Sequence, residues 1–155
     1  MNNSDQLSRI DSALFEVMKI AKRPRYWDDF QRRLGAQIDR PAAAILRLLS
    51  VQPLQFSDLV SKLGIEAPSI SRKVHELEQE GLINRNPTDD RRVHILDLSD
   101  QGKILAQKII DVRLAMLSEA LANWSATDIH VLGESLSRLA IDLSTSYGIK
   151  DTAKQ

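Results

Sequence analysis

Residues 67–98 read APSISRKVHELEQEGLINRNPTDDRRVHILDL, and this stretch decides the fold. Ile70, Val74 and Leu77 recur at helical spacing and form a single apolar stripe. Pro68 suits a first helical turn, where its missing N–H costs nothing, and Gly81 is a stop signal. The spacing therefore predicts a helix over 67–80. Residues 82–86 are short and strand-like. Pro87-Thr-Asp-Asp90 carries turn chemistry, and RRVHILDL returns as a second strand rich in β-branched and aliphatic residues. The unit is a helix followed by a β-hairpin. Its tip, TDDRRVHI at 88–95, sets two acids directly against two arginines.

Upstream, Pro41 marks the start of a helix over about 41–51 that carries Ile45, Leu48 and Leu49. Pro53 ends it. A short helix follows at about 56–63, with Leu59, Val60 and Leu63 inside and Gly64 as C-cap. Further upstream, Ile10, Leu14, Val17 and Ala21 predict an amphipathic helix over 5–21, broken by Pro24. YWDDFQRRLGAQI then forms a second short helix ending near Gly35.

Downstream, Ser99 is a good N-cap for a long helix over about 100–123. That helix carries two adjacent stripes, one through Leu105, Ile109, Val112, Met116 and Ala120, the other through Ile110, Leu114, Leu117 and Leu121. An apolar arc so wide must be covered on more than one side. Ser125 with Asp128 resembles a capping box opening a last helix over 126–146, which presents Ile129, Leu132, Leu136, Leu139 and Leu143.

Three helices and a β-hairpin within about 60 residues make a winged helix-turn-helix, in which one helix fits the major groove and the wing reaches backbone or minor groove. With the apolar stripe turned inward, Pro68, Arg72, His75, Glu76 and Gln79 fall on the opposite side of the 67–80 helix, with Ser69 and Ser71 on its flanks. Arg72 can fork onto guanine, and the serines can bond phosphates or bases. Glu76, Glu78 and Glu80 crowd the C-terminal half, so the N-terminal half is the expected reader.

The bulk composition excludes several classes. The chain of 155 residues, 43% hydrophobic and 27% charged, is that of an ordinary globular protein with one domain or two intimate halves. The absence of cysteine removes disulfides, thiolate zinc sites and thiol redox switches. The N-terminal stretch lacks a secretory pattern, and no apolar run reaches the ~18 residues of a membrane helix, so a cytoplasmic location is expected. Formal net charge is +0, which by itself does not point to nucleic acid. The sum hides local separation: from Lys19 to Arg33 six basic residues meet two acids.

Here a resemblance becomes specific. LVSKLGIEAPSISRKVHELEQEGLINRNPTDDRRVHILDLSDQG, residues 59–102, resembles the DNA-binding core of the MarR family of bacterial transcription regulators. The matching features are the spacing from LGI to SISR, then LEQEGLI, an Asp-x-Arg wing at Asp90 and Arg92, and LDLSDQG opening the long helix. The resemblance covers almost the whole chain. It implies a mainly α fold with a small β-hairpin wing, flanked by helical dimerisation arms. Residues 1–38 would be the N-terminal arm, 39–99 the winged domain and 100–155 the C-terminal helices. It further implies a homodimer, a repressor on a pseudo-palindromic site of double-stranded DNA, and release by a small anionic or phenolic effector.

Carried over by position, Arg92 would enter the minor groove, Asp90 would hold it, and Arg91 would meet phosphate. Glu66 would support the wing at the start of the recognition helix. The DNA-contacting set is then Pro68, Ser69, Ser71, Arg72, His75, Arg91 and Arg92. Arg40 and Gln55 depart from the capping Ser or Thr common in the family, and His75 stands where an acid is common.

Arg23, Arg25, Tyr26 and Trp27 combine cation and aromatic, which suits an anionic aromatic effector. The alternative is that Trp27 and Phe30 are packing anchors and the arginines face solvent or DNA flanks. No cofactor, metal site or catalytic set is expected. His75, His94 and His130 sit on separate predicted elements, and no phosphate loop or triad order is present. Two other functions remain: a metal-responsive regulator of the same fold, should His75 and His94 approach each other, and a helical interaction module without DNA.

Overall fold

The computed structural model describes residues 3–88 and 93–149. The chain divides into two compact units, residues 1–38 and residues 39–155.

The first unit contains α1 (Asn3–Lys22) and α2 (Pro24–Leu34), which pack on each other. Pro24 does not kink a continuous helix. It opens α2, with Arg23 as an extended N-cap. Phe30 and Leu34 are the buried residues of α2. The rings of Trp27 and Phe30 stack with centroids 4.7 Å apart. Trp27 Nε1 and Gln31 Nε2 both donate to the Ile38 carbonyl, at 3.2 and 2.6 Å. None of the described residues of α1 is buried, and Leu7, Ile10, Phe15, Val17, Met18 and Ile20 are all exposed.

The second unit runs α3 (Arg40–Leu49), β1 (Leu54–Gln55), α4 (Phe56–Leu63), α5 (Ala67–Gln79), β2 (Ile83–Pro87), β3 (His94–Leu98), α6 (Asp100–Ala120) and α7 (Ala126–Ser146). The predicted hairpin is present, but it belongs to a three-stranded antiparallel sheet of order β1-β3-β2. β1 is the strand that sequence reading missed. Leu54 pairs with Leu96 and Gln55 with Ile95. In β2, Ile83 pairs with Leu98 and Pro87 with His94, so Pro87 closes the strand rather than opening the turn.

The core of this unit forms where α3, α4 and α5 meet the sheet. Ile45 and Leu46 of α3, Leu59 of α4, Ile70 and Val74 of α5, and Leu96 of β3 are fully buried. The α5 stripe is the predicted one, with Ile70, Val74 and Leu77 buried. Burying a side chain of this size contributes about 1.5–3 kcal/mol, so this stripe fixes which face α5 turns outward.

Three helix starts are set by side chains. Asp39, not Arg40, caps α3: its Oδ1 accepts the Ala42 N–H at 2.8 Å. Ser99 caps α6 as expected, its hydroxyl accepting the Gly102 N–H at 3.0 Å. At α7, Ser125 Oγ accepts the Asp128 N–H at 3.1 Å, while Asp128 Oδ2 accepts the Ser125 hydroxyl at 2.6 Å. The reciprocal bond of a full capping box, back to the N-cap N–H, is replaced by this side-chain contact because Asp is one carbon shorter than Glu.

Only the first half of α6 is core: Gly102, Ala106 and Ile109 are buried. Leu114 and Leu117 beyond them are exposed. None of the described residues of α7 is buried, and Ile129, Val131, Leu136, Ile141 and Leu143 all face out. The wide apolar arc read from the sequence is thus real and lacks cover within this unit. No helix among the described residues is long and apolar enough to cross a membrane.

Candidate nucleic-acid interface

α5 is held at both ends. At its N-terminus Glu66 is the N-cap residue but gives no side-chain hydrogen bond. The Glu66 carbonyl accepts from Ser69 and Ile70 N–H at 3.0 and 3.2 Å. At its C-terminus the chain reverses through Gly81 at φ +72°, a left-handed conformation that favours glycine. Leu82 N–H then returns to the Leu77 carbonyl at 2.9 Å.

Ser99 fastens this reversal to α6. Its N–H donates to the Leu82 carbonyl at 3.0 Å and its hydroxyl to the Gly81 carbonyl at 2.6 Å. One serine therefore caps α6 and pins the end of α5. Gly102, in the next turn, lies so close that an added Cβ would sit 2.0 Å from the Leu82 carbonyl oxygen. The sequence LSDQG is explained by this approach.

The outward face of α5 is polar along its length. Pro68, Ser71, Arg72 and His75 are exposed, and Ser69 is half-buried on the flank. Arg72 makes no ion pair with any described residue, so its five donors are available. His75 shares a 3.0 Å hydrogen bond with Gln79 one turn on. Two of the acids that crowd the C-terminal half are neutralised. Glu78 takes Arg85 of β2 in a two-pronged contact, Nε to Oε1 at 2.8 Å and Nη2 to Oε2 at 3.1 Å. The hydrogen bond to Glu78 raises Arg85 above the usual arginine pKa. Glu76 pairs with Lys73, and Lys73 Nζ also reaches Asp39 Oδ2 at 2.5 Å. Bonding to Asp39 first, then to Glu76, raises the Lys73 pKa. Sequence reading missed the Glu78–Arg85 and Lys73–Asp39 pairings because their partners lie on different elements.

At the base of the wing, Thr88 Oγ1 donates to the Val93 carbonyl at 2.9 Å. Asp90, Arg91 and Arg92 lie outside the described residues, as does any pairing of Glu66 with Arg92. His94 is half-buried opposite Pro87, and its Nδ1 is buried without a partner among the described residues. Among the described residues no group of three or more His, Cys, Asp or Glu comes together as a metal site.

In the first unit, Arg23 and Arg25 are exposed while Tyr26 and Trp27 are half-buried. Trp27 stacks on Phe30 and donates its ring N–H to Ile38. These are the contacts of a packing anchor. Of the local basic cluster, Arg32 and Arg33 are both bound to Asp29, the latter at 2.8 Å.

Comparison with known proteins places this geometry. Residues 38–94 match the MarR family. Over 141 residues the chain is 26% identical to the HTH-type transcriptional regulator YxaD of Bacillus subtilis, covering 90% of this chain and 96% of that one. Among solved structures, Streptococcus pneumoniae FabT in complex with DNA is similar at TM-score 0.71 and 20% identity, over 90% of this chain and 98% of that one. NadR in complex with 4-hydroxyphenylacetate is similar at TM-score 0.62 and 24% identity, over 84% and 92%. Residues 38–94 are thus a winged helix-turn-helix segment that matches the MarR family of DNA-binding, non-enzymatic transcription regulators, and the chain is similar to one HTH-type regulator over 90% of its length.

Proposed function

We propose that the protein is a homodimeric repressor that reads a pseudo-palindromic operator with the N-terminal half of α5 and is released by a small anionic or phenolic effector. The observation that carries this is the charge distribution on α5. Arg72 is exposed and unpaired among the described residues, whereas Glu76 and Glu78 are held by Lys73 and Arg85. The N-terminal half thus offers a free guanidinium to a base edge, and part of the acidic charge behind it is compensated. Ser69 and Ser71 flank Arg72, and Arg91 and Arg92, which lie between β2 and β3 in the sequence, would reach phosphate and minor groove.

Dimerisation is supported by the unburied apolar faces of α1, α6 and α7, which are larger than scattered surface residues explain. A two-fold pair would set two α5 helices about 34 Å apart, one DNA turn. The effector class rests on Arg23, Arg25, Tyr26 and Trp27, with the phenolic acid bound by the NadR relative as precedent.

The test is selection of bound fragments from random or genomic DNA, followed by retardation with variants. A symmetric motif with half-sites one turn apart is expected. Arg72→Ala is expected to cost roughly 1–3 kcal/mol and to relax preference at one position per half-site. Arg92→Ala is expected to weaken binding with fold and dimer intact. Recovery of fragments without a shared motif, or an Arg72→Ala loss equal on all sequences, would rule out α5 as the reader.

A further inference from the structure

We infer that Asp39 and Lys73 are specificity-determining positioning residues. Asp39 holds the recognition helix by its lysine and keeps that lysine off the DNA backbone. This rests on the proposal that the N-terminal half of α5 faces DNA.

A lysine next to Arg72 on such a helix would ordinarily be a phosphate contact. It would add affinity for every sequence alike, because phosphates carry no sequence information. Here the amine is occupied. Asp39 Oδ2 lies 2.5 Å from Nζ, Glu76 binds it from one turn on, and only 21% of the Lys73 side chain is accessible. The raised Lys73 pKa agrees with an ammonium satisfied inside the protein.

The two carboxylates differ in what they can do. Glu76 is on α5 itself, so its bond to Lys73 moves with the helix and fixes nothing outside it. Asp39 stands at the start of α3, and its other oxygen is engaged as the α3 N-cap, accepting Ala42 N–H at 2.8 Å. A carboxylate pinned by a backbone N–H is a fixed post. The apolar stripe sets the rotation of α5 about its own axis; Lys73 tied to Asp39 trims it locally, and with it the direction in which Arg72, the adjacent residue, points. Further along, the Glu78–Arg85 contact ties α5 to β2. The helix is thus held by charge at its middle and near its C-terminal end, in addition to its buried apolar stripe.

The cap and the clamp can be separated. Asn caps helices about as well as Asp, so Asp39→Asn keeps the Ala42 bond and removes the charge that retains Lys73. The experiment measures binding to the duplex recovered by selection and to a shuffled duplex of equal composition, across salt concentrations. Wild type, Asp39→Asn, Lys73→Met and Arg72→Ala are compared, with folding checked by circular dichroism.

For Asp39→Asn the freed lysine is expected to bind phosphate more tightly on both duplexes. The slope of log K against log salt should steepen by up to about 0.9 per lysine. The ratio of specific to shuffled binding should fall by roughly fivefold, the low end of what one misplaced base contact costs. For Lys73→Met the ratio should fall while the slope stays at the wild-type value. A merely structural role for the pair would lower stability and leave the slope untouched. Asp39→Asn with unchanged slope and ratio overturns the inference. So does a Lys73→Met slope flatter by about 0.9, since Lys73 would then be a phosphate ligand itself. Should Asp39→Asn fail to fold, Lys73→Met decides: a fallen ratio at the wild-type slope supports the clamp, and an unchanged ratio or a flatter slope overturns it. If Arg72→Ala leaves the ratio unchanged, the failure belongs to the placement of α5 on DNA and not to the clamp.

Discussion

Gly102→Ala is expected to destabilise the protein, although it replaces glycine by the best helix former inside a helix. A Cβ at Gly102 would lie 2.0 Å from the Leu82 carbonyl oxygen, 3.0 Å from its carbon and 3.4 Å from Leu98 Cδ2. Carbon and oxygen approach no closer than about 3.3 Å in ordinary weak contacts, so the first turn of α6 must move by more than about 1 Å. The neighbours cannot yield cheaply, because the closest is backbone at the end of the recognition helix. Overpacking of this kind costs about 1–3 kcal/mol.

The displacement also stretches the Ser99 N–H to Leu82 bond and the Ser99 hydroxyl to Gly81 bond, now 3.0 and 2.6 Å. Each is worth about 1 kcal/mol net. Removing a helical glycine returns about 0.5–1 kcal/mol. The balance is a loss of roughly 2–4 kcal/mol. For a chain of this size each kcal/mol moves Tm by about 2–4 °C, giving a drop of roughly 4–16 °C. Thermal unfolding followed by circular dichroism at one fixed protein concentration reads it. A Tm equal to or above wild type would show that the helix start is free to shift and that Gly102 is not needed for close approach.

Ser99→Ala removes the cap of α6 and the donor to Gly81 together, and is expected to cost about 1–2 kcal/mol by urea unfolding; a loss too small to resolve would mean the two bonds are replaced by water. Leu136→Glu combined with Leu143→Glu is expected to turn a dimer into a folded monomer by sedimentation equilibrium, because both side chains lie exposed on α7; an unchanged mass would place the interface elsewhere. The clamps on α5 have a definite pH sign. Lys73 and Arg85 are both raised above their ordinary values, so their contribution is fully present below the unfolded lysine value of about 10.4 and is lost only as pH rises through the higher folded values. Discrimination between operator and shuffled DNA should therefore not vary with pH through these two groups in the neutral range, and denaturation midpoints should fall on the alkaline side in wild type more than in Lys73→Met.

Local rules made much of the fold legible. The α5 stripe could be placed because three apolar residues at helical spacing allow only one inward face, and the observed burial of Ile70, Val74 and Leu77 is that face. Ser99 was legible as a cap because capping chemistry acts within three residues. Asp39 was not, since Arg40 stands next to Pro41 where a cap was sought and the helix starts one residue earlier than the proline suggests. β1 left no trace: two residues cannot show alternation, and Leu54–Gln55 becomes a strand only because β3 arrives beside it. The candidate site divides in the same way. Exposure of Pro68, Ser71, Arg72 and His75 follows from periodicity, whereas Lys73 with Asp39 and Arg85 with Glu78 are products of tertiary packing that no spacing announces. The double stripe of α6 foretold too much apolar surface for one unit, and the exposed Leu114 and Leu117 are that excess.

The order of the sheet bears on how such molecules behave when crowded. A strand with an open edge is a template for another chain, and a loop-borne sheet on a DNA-binding surface is often brought near its own kind. Here β3 is flanked on both sides. β1 covers one side with only two residues, too short to guide a foreign strand. The other side is β2, whose outer edge carries exposed Asn84, Arg85 and Asn86 and ends in Pro87, which has no N–H to offer. A second copy therefore finds little open strand edge to pair with, and the two-residue β1 is part of that protection.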